Sequence, residues 1–384
     1  MRYRGSLLEG VKDLQDPRVV RRVLLILGTR PEVIKLAPVY SELLWSGFEV
    51  EVCSTGQHED LFAQAQEAFQ IHVDYDLKLM RENQDLFYLT EKGLPALKAV
   101  LEACKPDLVI VQGDTTSALL GALAGFYAGL DVAHVEAGLR TFDPRDPFPE
   151  EMNRKLIDHL STVHFAPTMR ASENLEQEGI PGAHVVGNTV VDALSALKAE
   201  LGSVPPSGLE SLSSRQFLLV TAHRRESFGE PLRNICRGIK KIVEEERSLI
   251  AAVIVHPNPN VKATMLSELA HKERVLLLEP LQYRDMLWLI ANAKLMLTDS
   301  GGLQEEAPCL HKPVLILRKK TERPELLEVG GGRLVGRDPD RIAQETLTLL
   351  HDQGAYDEMA RAPNPFGDGR AAKRIVKILS FMPA

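Results

Sequence analysis

Short apolar, β-branched runs alternate with amphipathic stretches along this chain, and that alternation constrains its fold more than any other feature. The runs RRVLLIL (21–27), FEVEVC (48–53), DLVIV (107–111), DVAHV (131–135) and STVHFA (161–166) have the length and composition of strands. Between them, PEVIKLAPVYSELLWSG and TTSALLGALAGFYAG carry helical periodicity, the first with Pro31 where an opening turn tolerates proline. Strands joined by helices in this way form right-handed βαβ units, hence a parallel sheet covered on both faces. The pattern pauses at GSVPPSGLESLSSR (202–215), which has linker composition. It restarts with QFLLV (216–220), LIAAVIV (249–255), RVLLLE (274–279), KLMLT (294–298) and PVLIL (313–317). At 384 residues the chain is also too long for one core. The expectation is an α/β protein of two doubly wound, Rossmann-like domains facing a central cleft.

Composition narrows the partners. A formal charge of −8 argues against nucleic acid or an anionic membrane surface. No apolar run reaches the ~18 residues of a membrane span. MRYRGSLLEGVKDLQDPRVV has early arginines but no apolar core before RRVLLIL, so it does not read as a secretory signal. Cys53, Cys104, Cys236 and Cys309 lie far apart with no C-x-x-C pair, as free thiols of a reducing cytoplasm would. A soluble, cytoplasmic protein is expected.

The unusual polar residues are clustered. GTRPE, STGQH, QGDTT and EAGLR each follow an expected strand of the first half; TAHRRES, HPNPN and TDSGG do so in the second. That is the carboxyl edge at which open α/β sheets bind ligands. In TDSGGLQEEAP, a strand leads through Ser300, Gly301 and Gly302 into a helix, the geometry of an anion site. Glu306 falls one turn beyond Gly302, ~6 Å along the axis, where a carboxylate can accept two ribose hydroxyls. Pro308 should keep this helix short or kinked. A tight turn carrying a solvated glutamate pair would use the same residues. Arg30, Arg323 and the run His223-Arg224-Arg225-Glu226 concentrate cations at strand ends, as a nucleoside diphosphate would require. His256 is either a further phosphate or base contact or a plain loop histidine. Among the charge runs, Arg318 alone is placed to point away from solvent.

Carboxylates supply the chemistry. Asp114 either caps the helix that follows it or faces the cleft. Glu136 ends a strand with apolar neighbours, which should raise its pKa. Glu150 and Arg154 are four apart and can pair on one helix face. The proline-rich FDPRDPFP before them forces an extended loop able to overhang the cleft. There is no G-x-G-x-x-G after the first strand, no G-x-x-x-x-G-K-[ST], no H-E-x-x-H and no G-x-S-x-G. Nicotinamide hydride transfer, ATP hydrolysis, zinc hydrolysis and serine acyl transfer all lose support.

With these residues in hand, the sequence resembles the non-hydrolysing UDP-N-acetylglucosamine 2-epimerases from about Val23 onward. GTRPEVIKLAPV, TGQH, GDTTSALLGALAGFYAG, HVEAGLRT, PFPEEMNRKLIDHL, GNTVVDAL, HRRESFG, HPNPNV, LTDSGGLQEEAP, PVLILRKKTERPE and NPFGDGRA carry the resemblance. It implies a GT-B-like architecture: an extension (1–20), an N-terminal domain (21–192), a UDP-binding domain (193–366) and a last helix (367–384) returning to the N-terminal domain. It implies interconversion of UDP-N-acetylglucosamine and UDP-N-acetylmannosamine through a 2-acetamidoglucal, with no cofactor and no metal. Ser300, Gly301, Gly302 and Glu306 match the family's diphosphate and ribose contacts, and Arg30 and Arg323 its phosphate-side arginines. Asp114, Glu136, Glu150, Arg154 and His223 match its catalytic constellation, and Lys35 a lysine of the same site. By analogy a homodimer is expected.

Departures from the pattern are few. Arg145-Asp146 stands where members often carry Tyr-Ser. Gln57 and His58 persist at the family's second, activating substrate site, but QHEDLF and LMRENQ, with Asp60 and Asn83, replace the usual residues, so activation by substrate is not expected. A sister epimerase of a UDP-2,3-diacetamido uronic acid, a hydrolysing relative, a glycosyltransferase of the same architecture and a sugar-nucleotide sensor remain as alternatives.

Overall fold

The computed structural model describes residues 22–56, 66, 68–81, 84–198 and 204–383. Two parallel sheets organise them. The first holds β1 (Arg22–Leu27), β2 (Glu49–Ser54), β3 (Tyr75–Asp76), β4 (Leu108–Gln112), β5 (Asp131–Val135), β6 (Val163–Ala166) and β7 (His184–Val185), in the order β3-β2-β1-β4-β5-β6-β7. The second holds β8 (Phe217–Thr221), β9 (Ile250–Ile254), β10 (Val275–Leu278), β11 (Leu295–Thr298), β12 (Val314–Ile316) and β13 (Gly332–Leu334), in the order β10-β9-β8-β11-β12-β13. The strands expected from sequence are all present, their ends moved by a residue or two. The sequence missed β3, β7 and β13, edge strands of two or three residues, which are too short to show periodicity.

Both orders reverse next to the first strand, between β1 and β4 and between β8 and β11. Loops leaving the sheet on either side of such a switch point diverge and leave a crevice at the carboxyl edge. Register then decides what faces it. Gln112 pairs with Val135, so Gly113-Asp114 and Glu136 leave the first sheet side by side. Thr221 pairs with Thr298, their hydroxyls 2.7 Å apart, so His223 emerges beside Asp299. The central strands are apolar on both faces because helices cover both; Val23 to Leu27 are fully buried.

Two helices tie the halves together. Helix Thr189–Lys198, which runs across position 192, packs on helix Arg30–Trp45 of the first half and on helix Gly301–Cys309 of the second. The last helix, Ala371–Leu379, returns to the first half and packs on Arg30–Trp45 and Thr189–Lys198. Asp192 caps it, accepting the backbone N–H groups of Ala371 and Ala372 at 3.1 and 2.9 Å. Ile375 and Leu379 are fully buried in the core shared with Val39 and Leu43, each worth about 1.5–3 kcal/mol over an exposed position. Among the described residues no helix is long and apolar enough to cross a membrane.

Candidate active site

Where the carboxyl edges of the two sheets meet lies a cavity of about 290 Å³, lined from both halves. Arg30, Lys35, Asp114, Glu136, Glu150 and Arg154 reach it from the first half; His223, Ser300, Gly302, Glu306 and Arg323 reach it from the second. The structure thus gathers almost every residue singled out from sequence. His256 lies off the cavity, its ring stacked on His223 with centroids 5.1 Å apart. Gln57 and His58 lie outside the described residues.

Helix Gly301–Cys309 is short, as Pro308 requires, and begins at the cavity. Ser300 occupies the N-cap position without a side-chain cap bond, which leaves the first-turn N–H groups directed at the cleft. The two glycines differ in purpose. A Cβ on Gly302 would meet nothing within 4 Å, whereas one on Gly301 would fall 2.6 Å from Arg323 Nη1 and 2.8 Å from Glu322 Oε1. Gly301 therefore admits the arginine. Glu306 is only 7% exposed, and its Oε2 has no hydrogen-bond partner among the described residues. Burial pushes its pKa up to about 7, with Arg30 opposing the rise and Glu305 adding to it.

Asp114 does not cap its helix; Thr115 does, accepting from Ala118 N at 3.0 Å. The Asp114 carboxylate instead takes Arg154 Nε and Nη2 at 2.9 and 2.7 Å. Burial would raise its pKa, but the guanidinium overrides this and holds it below the ordinary value. The pairing expected of Arg154 with Glu150 is not formed. Arg154 turns to Asp114 and to Glu151 (2.8 Å), whose carboxylate also accepts the N–H groups of Thr141 and Phe142. A buried guanidinium with two better-placed anions has no reason to swing outward. Glu150 is left half-buried with no ion pair among the described residues, and burial followed by the charge of Asp114 raises its pKa.

Glu136 sits at φ +74°, a left-handed backbone rare outside glycine and costing of order 1 kcal/mol. Its surroundings are charged rather than apolar: Oε2 meets Lys35 Nζ and Asn188 Nδ2, the latter at 3.2 Å. Burial still wins over Lys35 and raises its pKa.

Sequence reasoning missed several organising residues. Glu32 accepts the N–H groups of Gly28 and Thr29 at 2.9 and 2.6 Å and the Thr115 hydroxyl at 2.7 Å. It thereby ties the turn before Arg30 to the loop bearing Asp114. Asp299, fully buried, accepts the N–H groups of His223 and Arg224 at 3.0 Å and the Ser227 hydroxyl at 2.9 Å, shaping the turn after β8. Burial lowers the His223 pKa against the pull of Asp299. Arg318 does point inward, 3% exposed and bonded to Glu322 at 2.7 Å. Asp146 of the proline-rich loop approaches it to 3.8 Å, so that loop reaches across to the second half.

Fold and cleft together define the class: a GT-B-like α/β protein with its polar residues massed between two Rossmann-like halves. A family model described as UDP-N-acetylglucosamine 2-epimerase matches residues 45–380, and the chain belongs to that family. The UDP-N-acetylglucosamine 2-epimerase of Salmonella typhimurium is 45% identical over 371 residues, 93% of this chain and 98% of the relative. The UDP-GlcNAc 2-epimerase of Neisseria meningitidis, solved bound to UDP-GlcNAc, matches with a TM-score of 0.89 at 40% identity, over 93% of this chain and 99% of that one. The Methanocaldococcus jannaschii enzyme, solved with UDP-GlcNAc and UDP, matches with a TM-score of 0.82 at 37% identity, over 94% of this chain and 100% of that one.

Proposed function

We propose that this protein interconverts UDP-N-acetylglucosamine and UDP-N-acetylmannosamine by eliminating UDP and adding it back. The C2 proton of the sugar is not beside a ketone, so enolisation is unavailable. A carboxylate takes that proton while the C1–O bond breaks; the C2 electron pair forms the C1=C2 bond of a 2-acetamidoglucal and UDP departs with the bonding pair. Proton delivery to the opposite face of C2, with return of the UDP oxygen to C1, inverts the centre.

In this reading the diphosphate rests on the helix start at Ser300–Gly302, and Glu306 takes the ribose hydroxyls. Arg30, Arg323 and His223 face the charge that grows on the leaving group. Proton transfer on two faces needs groups whose affinities for protons differ. Asp114 is held ionised by Arg154, while Glu136 and Glu150 are pushed toward retaining a proton. Asp114 is thus assigned as proton acceptor and the two glutamates as proton carriers in the direction of elimination, with roles exchanged on return. Lys35 and Arg154 fix the carboxylates they touch. The half built on β8–β13 holds UDP and the half built on β1–β7 holds the sugar. A cytoplasmic location and a homodimer complete the reading by family analogy; sedimentation tests the dimer.

The observation that carries this proposal is the convergence of the Ser300 helix start and three carboxylates, Asp114, Glu136 and Glu150, on one cavity. Incubation with UDP-N-acetylglucosamine in D₂O, followed by NMR, tests it. Deuterium should enter C2 as UDP-N-acetylmannosamine accumulates. Free UDP rising in step with free sugar, or unchanged substrate, would refute it.

A further inference from the structure

The QEEAP segment carries two adjacent glutamates, and only Glu306 faces the cavity. Glu305 turns away, 1% exposed, into a chain of buried charges. Its Oε1 takes Arg323 Nε and Nη2, both at 2.7 Å, within the second half of the molecule. Its Oε2 lies 2.9 Å from Lys35 Nζ, which belongs to helix Arg30–Trp45 of the first half. The same ammonium holds Glu136 Oε2. One lysine is therefore shared between a carboxylate from each side of the cleft.

We propose that Glu305 is a positioning residue that senses cleft closure: anchored by Arg323, it draws on Lys35 when the halves meet and so releases Glu136 from exclusive pairing. The inference rests on the epimerase reading for the role of Glu136, but the contact across the cleft stands without it. Coulomb attraction between Lys35 and Glu305 falls steeply if the halves separate by a few ångströms and water enters. Lys35 then belongs to Glu136 alone, and that carboxylate is pinned as an anion. In the closed arrangement a second anion competes for the ammonium, and Glu136 holds a proton more readily. The charged groups acting on Glu136 are Lys35 from the first helix, Glu305 from Gly301–Cys309 and Arg323 from the segment before helix Pro324–Glu328. Lys35 and Arg323 favour its anion, and Glu305 disfavours it. Proton-transfer competence is thereby reserved for the closed site, where the glucal is shielded from water.

The test compares wild type with Glu305→Gln, and with Glu305→Asp, which keeps the charge but withdraws it by one methylene. Small-angle scattering of the ligand-free proteins should give a larger radius of gyration for both variants. Epimerisation should fall ~10-fold or more in kcat, with UDP affinity kept or tightened, because loss of Glu305 frees cationic charge near the diphosphate. The alkaline limb of the kcat–pH profile should move about one pH unit lower, since Glu136 must hold its proton and loses the competing anion that helps it do so. If Glu305→Gln does not fold, Glu305→Asp carries the same three measurements. An unchanged radius with an unmoved alkaline limb overturns the proposal, as does a lower kcat with an unmoved limb, which would mark a purely structural contact. Wild type without C2 exchange overturns the epimerase reading instead, and the scattering comparison then decides the clasp alone.

Discussion

Glu306→Gln should make the ligand-free protein more stable and a worse UDP binder, and the size of the first effect follows from the cavity. The carboxylate is nine-tenths buried, with a 3.4 Å contact to the Tyr283 hydroxyl on Oε1 and no partner for Oε2 among the described residues. Its proton affinity therefore rises from an ordinary pKa of 4.5 to about 7 on folding. Below the lower value both states hold the proton and the group has no effect on stability. Between the two, the unfolded chain ionises first, so this residue makes stability fall as pH rises. Above the higher value the whole cost stands, about 3 kcal/mol. Glutamine keeps the tyrosine contact and cannot ionise. At pH 8 the variant should melt roughly 4 °C higher than wild type, and near pH 4.5 the difference should vanish. Calorimetric scans at both pH values read the first effect. UDP titration should show affinity reduced ~10–100-fold, as expected for losing charge-assisted bonds to two hydroxyls. A melting point at or below that of wild type at pH 8, or the same gain at both pH values, would refute the reasoning.

Three further outcomes are expected. Asp114→Asn and Glu136→Gln should keep UDP binding within a few-fold and lose ~10²–10⁴ in C2 deuterium exchange; full activity in either would remove it from the catalytic set. Gly301→Ala should displace Arg323 and Glu322, cost about 1–3 kcal/mol in urea denaturation and weaken UDP binding, whereas Gly302→Ala should fold as wild type. Asp192→Ala should cost about 1 kcal/mol and expose Ala371 and Ala372 to faster amide hydrogen exchange, because it uncaps the last helix.

Strand positions and the placement of polar clusters were legible in the sequence for one physical reason. Parallel strands buried on both faces are nearly continuous apolar runs, and they stop abruptly where a ligand edge begins. Pairings were much less legible. Helical spacing offered Arg154 to Glu150, yet the partner that holds it, Asp114, lies 40 residues away on another loop. Spacing along one helix says which groups can meet, not which partner from another element will outcompete them. Likewise Glu32 reads as an ordinary first-turn acid, and its bridging role depends on Thr115 approaching from a neighbouring strand end. Helical spacing did separate the two glutamates: Glu306 falls one turn beyond Gly302 and lines the cavity, whereas Glu305, about 100° round the helix, is turned into the buried charges behind it.

The return of helix Ala371–Leu379 to the first half means that the two lobes are not two consecutive stretches of gene. A fragment ending at Lys198 would carry an uncovered oily strip where Ile375, Val376 and Leu379 belong, and its complement would drag a detached, sticky tail. Anyone wishing to express the lobes apart must graft the closing helix onto the opening one.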